Sequence, residues 1–126
     1  MAKKIMLIED EEILSGLLRR KLEENGYEVI VAFDGEEGIE IMKKQRPDLV
    51  LLDIVMPKMG GFEVMEEMNK IPELNLKDLP VIIVSNSGQP VEIGKAQELG
   101  IRDYLIKTQF DPQEVVDKVK KYCLNE

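Results

Sequence analysis

The sequence predicts a (βα)5 fold of the α/β class, in which each of five parallel β-strands is followed by an α-helix. Five short apolar runs rich in β-branched residues are separated by gaps that are long enough for a helix, and no gap is a two-residue hairpin turn. Strands connected in this way are parallel and have right-handed crossovers. The length of 126 residues suits one domain of this kind.

The five apolar runs differ in their flanking residues, which indicates their place in the sheet. The first, third and fourth runs are unbroken apolar segments, as expected of strands that are covered on both faces. The second and fifth runs are closely flanked by charged residues, so we predict that they are edge strands. In chain order the runs cover residues 5–8, 29–32, 49–52, 81–84 and 104–106.

The gaps between the runs carry helical patterns. Gly26 is predicted to close the first helix. Asp34 is predicted to cap a second helix, which must end before Pro47. We expect the first helix to bury one apolar face, which consists of Ile13, Leu14, Leu17, Leu18 and Leu22.

Three more helices follow the same rules. A fourth helix is predicted to begin at Pro90 and to stop at Gly100. A fifth begins at a capping box formed by Asp111 and Glu114. Residues 69–80 contain two prolines and are predicted to be a longer loop. The third helix is predicted from an apolar stripe of Phe62, Met65 and Met68.

The composition excludes several kinds of chemistry. The chain has 17 basic and 25 acidic side chains, a net charge of −8 and no histidine, which removes imidazole catalysis and imidazole metal sites. The acidic balance argues against a surface for nucleic acid or for an anionic membrane. The single cysteine, Cys123, suits a reducing compartment, and no apolar run approaches the ~18 residues of a membrane span, so we expect a cytoplasmic protein.

Polar side chains stand at the carboxyl ends of four predicted strands. Glu9 and Asp10 follow the first strand, and Asp53 follows the third. Ser85 ends the fourth strand and Lys107 follows the fifth. Because ligands of open parallel sheets bind beyond the carboxyl ends of the strands, we expect these groups to converge on one crevice.

Two neighbouring acids have a simpler explanation. Glu11 and Glu12 precede the first helix, where carboxylates favour the positive end of the helix dipole, so we interpret them as a solvated helix start. Asp53 has no such explanation, because it interrupts an apolar segment. A carboxylate in such surroundings is costly unless it is paired or bound to a metal.

Three carboxylates in one crevice call for a cation. They raise each other's proton affinity unless a positive charge neutralises them, and a hard divalent ion, Mg²⁺ before Ca²⁺, suits a site with few carboxylates. With the metal and the lysine offsetting the charge of the equatorial oxygens, one ionised carboxylate of the group can attack a phosphoryl group. The hydroxyl of Ser85 can then hydrogen-bond to the new phosphoryl group.

At this point the sequence resembles the receiver domain of bacterial two-component response regulators. The resemblance implies a doubly wound, flavodoxin-like three-layer sandwich with the parallel strand order 2-1-3-4-5. It also implies that residues 1–126 are a single receiver domain without an output domain. The matching motifs cover residues 8–11 (IEDE), 53–61 (DIVMPKMGG), 84–85 (VS) and 103–107 (DYLIK).

The resemblance also assigns roles to individual residues. It implies that Asp53 is the phosphoacceptor. Glu9, Asp10 and Asp53 would hold Mg²⁺, with the backbone carbonyl of Val55 as a further ligand. The only reaction that the chain would catalyse is its own phosphorylation and dephosphorylation.

Further implied roles concern the response to phosphorylation. Lys107 would pair with the phosphoryl group, Ser85 would swing towards it, and Tyr104 would change rotamer. The output surface would consist of the fourth helix, the fifth strand and the fifth helix, at residues 90–99, 102–106 and 112–123.

The sequence departs from the family pattern at three positions. Thr108 stands where a proline usually follows the lysine, so we predict a trans Lys107–Thr108 bond and a rearranged turn. Asn86 stands where a small residue is commoner. Val55 stands where some relatives carry a polar side chain that helps to position hydrolytic water, so we expect slow autodephosphorylation.

The absent histidine bears on the partners. The phosphoryl donor would be a separate histidine kinase or histidine phosphotransfer protein, and the target an unidentified protein. We expect no direct contact with nucleic acid or membrane, and a monomer or a weak phosphorylation-dependent dimer.

The alternative is a pseudo-receiver that acts as a phosphorylation-independent interaction module. A nucleotide-binding module is rejected because the acids at residues 9–11 would repel phosphate, and a hydrolase of the haloacid dehalogenase type lacks its second acid at Val55.

Overall fold

The computed structural model describes residues 2–123, which form one five-stranded parallel sheet covered by helices on both faces. The sheet order is β2-β1-β3-β4-β5, as the resemblance implies, and the two strands with charged flanks are the edge strands. The strands are β1 (Lys4–Ile8), β2 (Glu28–Ala32), β3 (Leu49–Leu52), β4 (Val81–Ser85) and β5 (Asp103–Ile106).

The helices occupy the gaps between the strands. The predicted order of five alternating strands and helices is confirmed, and two short 3-10 helices at Pro72–Leu74 and Lys107–Gln109 are added to it. The α-helices are α1 (Glu12–Glu24), α2 (Gly35–Lys44), α3 (Gly61–Lys70), α4 (Pro90–Leu99) and α5 (Pro112–Tyr122).

The apolar side chains divide into two cores, one on each face of the sheet. Side chains alternate between the faces of a strand, so Ile5 and Leu7 of β1 belong to one core, and Met6 and Ile8 belong to the other. Helices α1 and α5 cover the first core, and helices α2, α3 and α4 cover the second. The central strands are therefore buried on both sides, which explains their unbroken apolar sequences.

The predicted helix ends are present in the structure. The carboxylate of Asp34 accepts the N–H of Glu37 at 2.8 Å and caps α2. Asp111 accepts the N–H of Glu114 at 3.1 Å and Glu114 accepts the N–H of Asp111 at 3.3 Å, which is the predicted capping box of α5. Gly100 ends α4 with φ at 108°, a conformation that favours glycine.

The prediction for the buried face of α1 is partly wrong. Leu18 and Leu22 are fully buried, but Ile13 is 90% exposed and Leu17 is 42% exposed. Successive helical residues are about 100° apart, so the five apolar residues span a wider arc than the sheet and α5 can cover. The covered arc instead includes Ser15, which is buried.

The segment between α3 and β4 is more ordered than the predicted loop. It contains the 3-10 helix, and two polar side chains fasten it. Arg102 donates to the carbonyls of Leu76 and Lys77, both at 2.9 Å, and the Asn69 side chain accepts the N–H of Leu76 at 2.9 Å. Three leucines of the segment are buried in the core under α3 and α4: Leu74, Leu76 and Leu79.

The connection between β3 and α3 packs tightly at Gly61. Its N–H donates to the carbonyl of Ile54 at 2.7 Å. A Cβ atom at Gly61 would lie 2.4 Å from the backbone carbonyl oxygen of Asp53, a distance that requires the backbone to shift. The absence of a side chain at this position therefore fixes how closely α3 approaches the end of β3.

Among the residues described, no helix is both long enough and apolar enough to cross a lipid bilayer.

The close approach of α3 to the end of β3 at Gly61 yields a stability prediction. We expect Gly61→Ala to lower the free energy of unfolding by about 1–3 kcal/mol, the usual cost of overpacking a tight site. Gly94→Ala in α4 is the matched control, because a Cβ there meets no atom within 4 Å. We expect it to raise the free energy of unfolding by up to about 1 kcal/mol, through the better helix propensity of alanine. Urea unfolding measures both values, and a Gly61→Ala protein as stable as the parent would contradict the packing argument.

Candidate functional site

The candidate site lies at the carboxyl edge of the sheet, where strand pairing places the predicted polar residues side by side. The residues that end β1 and β3, Ile8 and Leu52, are register partners, and the N–H of Asp53 donates to the carbonyl of Ile8 at 3.1 Å. Glu9 and Asp53 therefore leave adjacent strands at the same level. Ser85 ends β4 and pairs in register with the last residue of β5, directly before Lys107.

Lys107 is the centre of the ionic contacts. Its Nζ lies 2.9 Å from Glu9 Oε1 and 3.1 Å from Asp53 Oδ2, and its side chain is only 7% exposed. A third carboxylate, that of Glu11, lies 3.5 Å from the same nitrogen. One ammonium group thus joins residues from β1, β3 and β5.

Three acids form a compact group around this lysine. One carboxylate oxygen from each of Glu9, Asp10 and Asp53 can be chosen so that all three lie within 4.8 Å of one another. Glu9 and Asp53 are buried, and Asp10 is exposed. Lys107 offsets only part of the negative charge of these acids and of Glu11, and a divalent cation would offset more of it. The donor set of carboxylate oxygens with an exposed side suits a hard cation that keeps some of its water.

The pKa values of Glu9, Asp53 and Lys107 reflect their burial and the incomplete neutralisation of the negative charge. Burial raises the pKa of Glu9 to about 7, against a hydrogen bond from Lys107 that lowers it. Burial also raises the pKa of Asp53, again against the opposing charge of Lys107. Burial lowers the pKa of Lys107, but the two carboxylates outweigh burial, and its pKa is raised on balance. The lysine therefore stays charged while the two acids gain affinity for protons.

The two oxygens of Asp53 have different environments. Oδ1 accepts the N–H of Ile54 at 2.7 Å, and Oδ2 faces Lys107. The carboxylate borders an open cleft of about 230 Å³ that Ser85 and the exposed Val55 also line. The carboxylate of Asp53 is accessible to another molecule through this cleft. The hydrogen bonds to both oxygens fix the orientation of the carboxylate.

Size alone does not locate this site. A larger cleft, of about 500 Å³, lies between α1 and the edge strand β2 and is lined by Val29, Val31 and Phe33. Its lining contains one carboxylate and one guanidinium group, from Glu12 and Arg19, in contrast to the cluster at Asp53. Charge density and burial distinguish the smaller cleft as the candidate site.

The hydroxyl and the aromatic residue of the predicted switch lie beside the acids. Ser85 is buried, and its Oγ accepts the N–H of Ser87 at 3.2 Å. The hydroxyl of half-buried Tyr104 donates to the carbonyl of Ser87 at 2.5 Å, and its ring packs against the core under α3 and α4. Burial raises the pKa of Tyr104.

The structure brings together the side chains of all the site residues named from the sequence, while their chemical roles stay predictions. The side chain of Val55 is 75% exposed at the mouth of the cleft, and the role of its backbone carbonyl as a metal ligand also stays a prediction. The trans Lys107–Thr108 bond is confirmed, since residues 2–123 contain no cis peptide bond. The turn that follows β5 is a 3-10 helix that begins at Lys107.

Two features of the site were missed in the sequence. Glu11 was interpreted as a solvated helix start, but it also contacts Lys107, and its N–H donates to Glu9 Oε2 at 3.0 Å. Its position next to two site acids was the available signal. The hydrogen bonds of Ser87 had no sequence signal, because they depend on how the loop after β4 folds back.

Comparison with known proteins agrees with this geometry. Residues 5–120 match the family described as the response regulator receiver domain. The alkaline phosphatase synthesis transcriptional regulatory protein PhoP of Bacillus subtilis (strain 168) is 36% identical over 120 residues, which are 95% of this chain and 48% of that protein. The chain spans about half the length of the curated relatives it matches.

Solved structures share the fold over almost their whole length. A putative response regulator from Chloroflexus aurantiacus J-10-fl is 29% identical with a TM-score of 0.87, covering 97% of this chain and 98% of that one. The phosphorylated cyanobacterial phytochrome response regulator RcpA is 28% identical with a TM-score of 0.87, covering 98% and 96%. Because the family match runs from the first strand to the last helix of the fold described above, the chain belongs to the family of response regulator receiver domains, the phosphoaccepting switches of two-component systems.

Proposed function

We propose that Asp53 accepts a phosphoryl group in an Mg²⁺-dependent reaction, and that this modification changes the surface formed by α4, β5 and α5. The observation that carries the proposal is the contact of the Lys107 ammonium with Asp53 Oδ2 at 3.1 Å, beside two further acids. A buried carboxylate with an adjacent cation and an open cleft has the arrangement of a nucleophile for phosphoryl transfer.

The proposed reaction joins an oxygen of Asp53 to phosphorus. The bond between phosphorus and the imidazole nitrogen of a phosphohistidine breaks, and that nitrogen keeps the electron pair and takes up a proton. Lys107 already contacts Oδ2 of the same carboxylate, so it can pair with the phosphoryl oxygens. Ser85, whose Oγ accepts a backbone N–H and which also hydrogen-bonds to Tyr104, would turn its O–H towards the phosphoryl group.

The acids of the site fit Mg²⁺. Glu9, Asp10 and Asp53 would hold the ion, with the backbone carbonyl of Val55 as a further ligand, and the exposed side of Asp10 leaves space for coordinated water. When bound, Mg²⁺ offsets the charge of the phosphoryl oxygens. The charge of the ion would also offset negative charge that Lys107 leaves uncompensated.

The partners follow from the chemistry of the chain. It has no histidine, so the donor would be a histidine kinase or a histidine phosphotransfer protein, and the only reactions catalysed by the chain would be its own phosphorylation and dephosphorylation. We propose that residues 1–126 act as one receiver domain in the cytoplasm. It would control a protein partner without direct contact with nucleic acid or membrane, as a monomer or a weak phosphorylation-dependent dimer.

A pseudo-receiver is the second candidate function. Thr108 and Asn86 depart from the family pattern next to Lys107 and Ser85, and both are exposed at the rim of the same surface. In that case the domain would bind its partner without being phosphorylated. The two functions differ in whether Asp53 forms an acyl phosphate.

Intact mass after incubation with acetyl phosphate and Mg²⁺ decides between them. We expect the wild-type chain to gain the mass of one phosphoryl group, because Lys107 and the metal offset the charge of the incoming group. Asp53→Asn should abolish the gain, and Asp117→Asn on the exposed face of α5 should leave it unchanged. An unmodified wild-type chain, or an adduct that persists in Asp53→Asn, would favour the pseudo-receiver or another acceptor.

The acidic site also predicts how stability depends on pH. The pKa of Glu9 is about 7 in the folded chain and 4.5 in an exposed reference state, so between these values the folded state holds more protons than the unfolded state. Stability without metal should therefore fall as the pH rises from about 5 to 8, by on the order of 1–3 kcal/mol. Asp53 acts in the same direction.

Urea unfolding in a chelator measures this fall. Mg²⁺ at pH 8 should restore stability, since it binds the deprotonated acids of the folded state. Glu9→Gln should flatten the pH dependence, whereas Glu24→Gln on the exposed end of α1 should not. A metal-free protein that is more stable at pH 8 than at pH 5 would contradict the assignment.

The exposed side chain of Val55 predicts a long-lived phosphoprotein. It has no group that can hydrogen-bond to an attacking water at the mouth of the cleft. We expect phospho-Asp53 to persist for minutes or longer, and Val55→Asn to shorten this lifetime several-fold. Loss of the adduct is followed by mass after removal of acetyl phosphate. A wild-type lifetime of seconds would refute the expectation, and Val55→Leu controls for the substitution itself.

A further inference from the structure

The loop between β4 and α4, residues 86–89, is fastened to the first turn of α4 by a hydrogen bond between two side chains. Ser87 Oγ donates to Glu92 Oε1 at 2.5 Å, and both residues are half-buried. A hydroxyl donating to a carboxylate is a charge-assisted hydrogen bond, which is stronger than a bond between neutral groups. It connects the loop that follows Ser85 to a helix of the predicted output surface.

The backbone of Ser87 contacts both switch residues at the same time. Its N–H donates to Ser85 Oγ at 3.2 Å, and its carbonyl accepts the hydroxyl of Tyr104 at 2.5 Å. Ser87 therefore connects three residues. Its side chain contacts Glu92, and its backbone contacts the hydroxyl of Ser85 next to Asp53 and the hydroxyl of Tyr104 in β5. Rotation of the peptide group before Ser87 would move the contact with Ser85, and rotation of the one after it would move the contact with Tyr104.

Helix α4 has no side-chain cap and little apolar burial, so this connection contributes to holding its first turn. Its N-cap residue, Gln89, makes no side-chain capping bond, whereas α2 and α5 each have one. Ala96 is its one fully buried residue, and Val91 in its first turn is 82% exposed. Contacts with α3 hold its other parts: Asn69 donates to the carbonyl of Leu99 at 3.0 Å, and the Lys95 ammonium lies 4.5 Å from the centre of the Phe62 ring.

The loop itself fits closely against β5. A Cβ atom at Gly88 would lie 2.3 Å from the terminal methyl of Ile106, so glycine permits the loop to rest on that side chain. The Ser87–Glu92 bond is a second contact that fastens the loop. Between these two contacts the peptide groups of Ser87 have a defined direction.

We propose that Ser87 and Glu92 are positioning residues of the switch, and that their hydrogen bond sets the orientation of the Ser85 hydroxyl and of Tyr104. The proposal rests on the proposed function for its effect on phosphoryl binding. The Ser87 N–H occupies an acceptor site of Ser85 Oγ and thereby directs the O–H of Ser85 away from the loop. The same residue presents the carbonyl that retains Tyr104. Loss of either side chain frees the loop, so Ser85 is no longer oriented in advance.

The test uses the full chain labelled with 3-fluorotyrosine and titrated with beryllium trifluoride and Mg²⁺. Beryllium trifluoride reports binding of a phosphoryl mimic at Asp53, and the fluorine resonance of Tyr104 reports its position, assigned with Tyr104→Phe. The resonance of Tyr27, which is buried in the core under α1 and α5, reports folding in every variant. Position and binding are thus measured separately from stability.

We expect Ser87→Ala and Glu92→Ala each to weaken beryllium trifluoride binding by about three- to tenfold, the effect of one hydrogen bond. Both should shift the unliganded Tyr104 resonance in the same direction. The double variant should be no weaker than either single variant, because both remove one interaction. Ser87→Thr retains the hydroxyl and should bind within about twofold of wild type. Glu98→Ala, an exposed acid on the same helix, is the matched control and should behave as wild type.

Additive losses in the double variant, or binding and a Tyr104 resonance that stay at the wild-type values, would overturn the proposal. If an alanine variant loses the Tyr27 resonance, Glu92→Gln and Ser87→Thr replace it. A Tyr104 resonance that shifts in Glu92→Gln but not in Ser87→Thr supports the proposal, and one that shifts in neither overturns it. If wild type binds no beryllium trifluoride, the proposed function fails. The Tyr104 resonance of the unliganded variants then decides the positioning by itself, in its favour if it shifts and against it if it does not.

Discussion

The buried carboxylates of Glu9 and Asp53 share one ammonium group, and the carboxyl edge of the sheet is organised around that contact. Lys107 reaches across β3 and β4 from the end of β5, so its position requires the strand order of the whole sheet. Two acids with raised pKa values and one lysine leave negative charge uncompensated in surroundings that disfavour it. The site is therefore costly to the metal-free fold, and binding of a cation would lower that cost.

The rest of the fold offsets the free-energy cost of holding these charged groups together. Both faces of the central strands are covered, which holds the ends of β1 and β3 in register and prevents the acids from separating. The glycine at residue 61 lets α3 pack against the carbonyl of Asp53, which restricts the backbone at that residue. Burial of apolar side chains thus supplies the free energy that keeps the charged groups close. An arrangement in which stability is concentrated in the core and strain in the site is common at functional sites.

Much of this structure could be predicted from the sequence, but the extent of burial of one helix and the path of one loop could not. The five strands, the caps at Asp34 and Asp111 and the convergence of Glu9, Asp53 and Lys107 follow from the hydrophobic period, capping chemistry and parallel topology. The buried arc of α1 was misjudged, because periodicity identifies an apolar side but not how much of it a neighbour covers. Ile13 and Leu17 consequently proved to be exposed. The contacts of Ser87 depend on the path of one loop, and no residue pattern encodes that path.

The difference between the last two helices indicates where a change at Asp53 can travel. Helix α5 has a capping box and buries three valines, so displacing it would cost both the cap and a part of the core. Helix α4 buries one alanine and has no capping side chain at its start, so its displacement costs far less apolar burial. A switch is expected to move along the coordinate of least cost, and the hydrogen bonds of the Ser87 N–H to Ser85 and of the Ser87 side chain to Glu92 favour a coordinate through this loop. We therefore expect the response to phosphorylation to be concentrated in the loop after β4 and the first turn of α4, while α5 serves as the fixed side of the same surface.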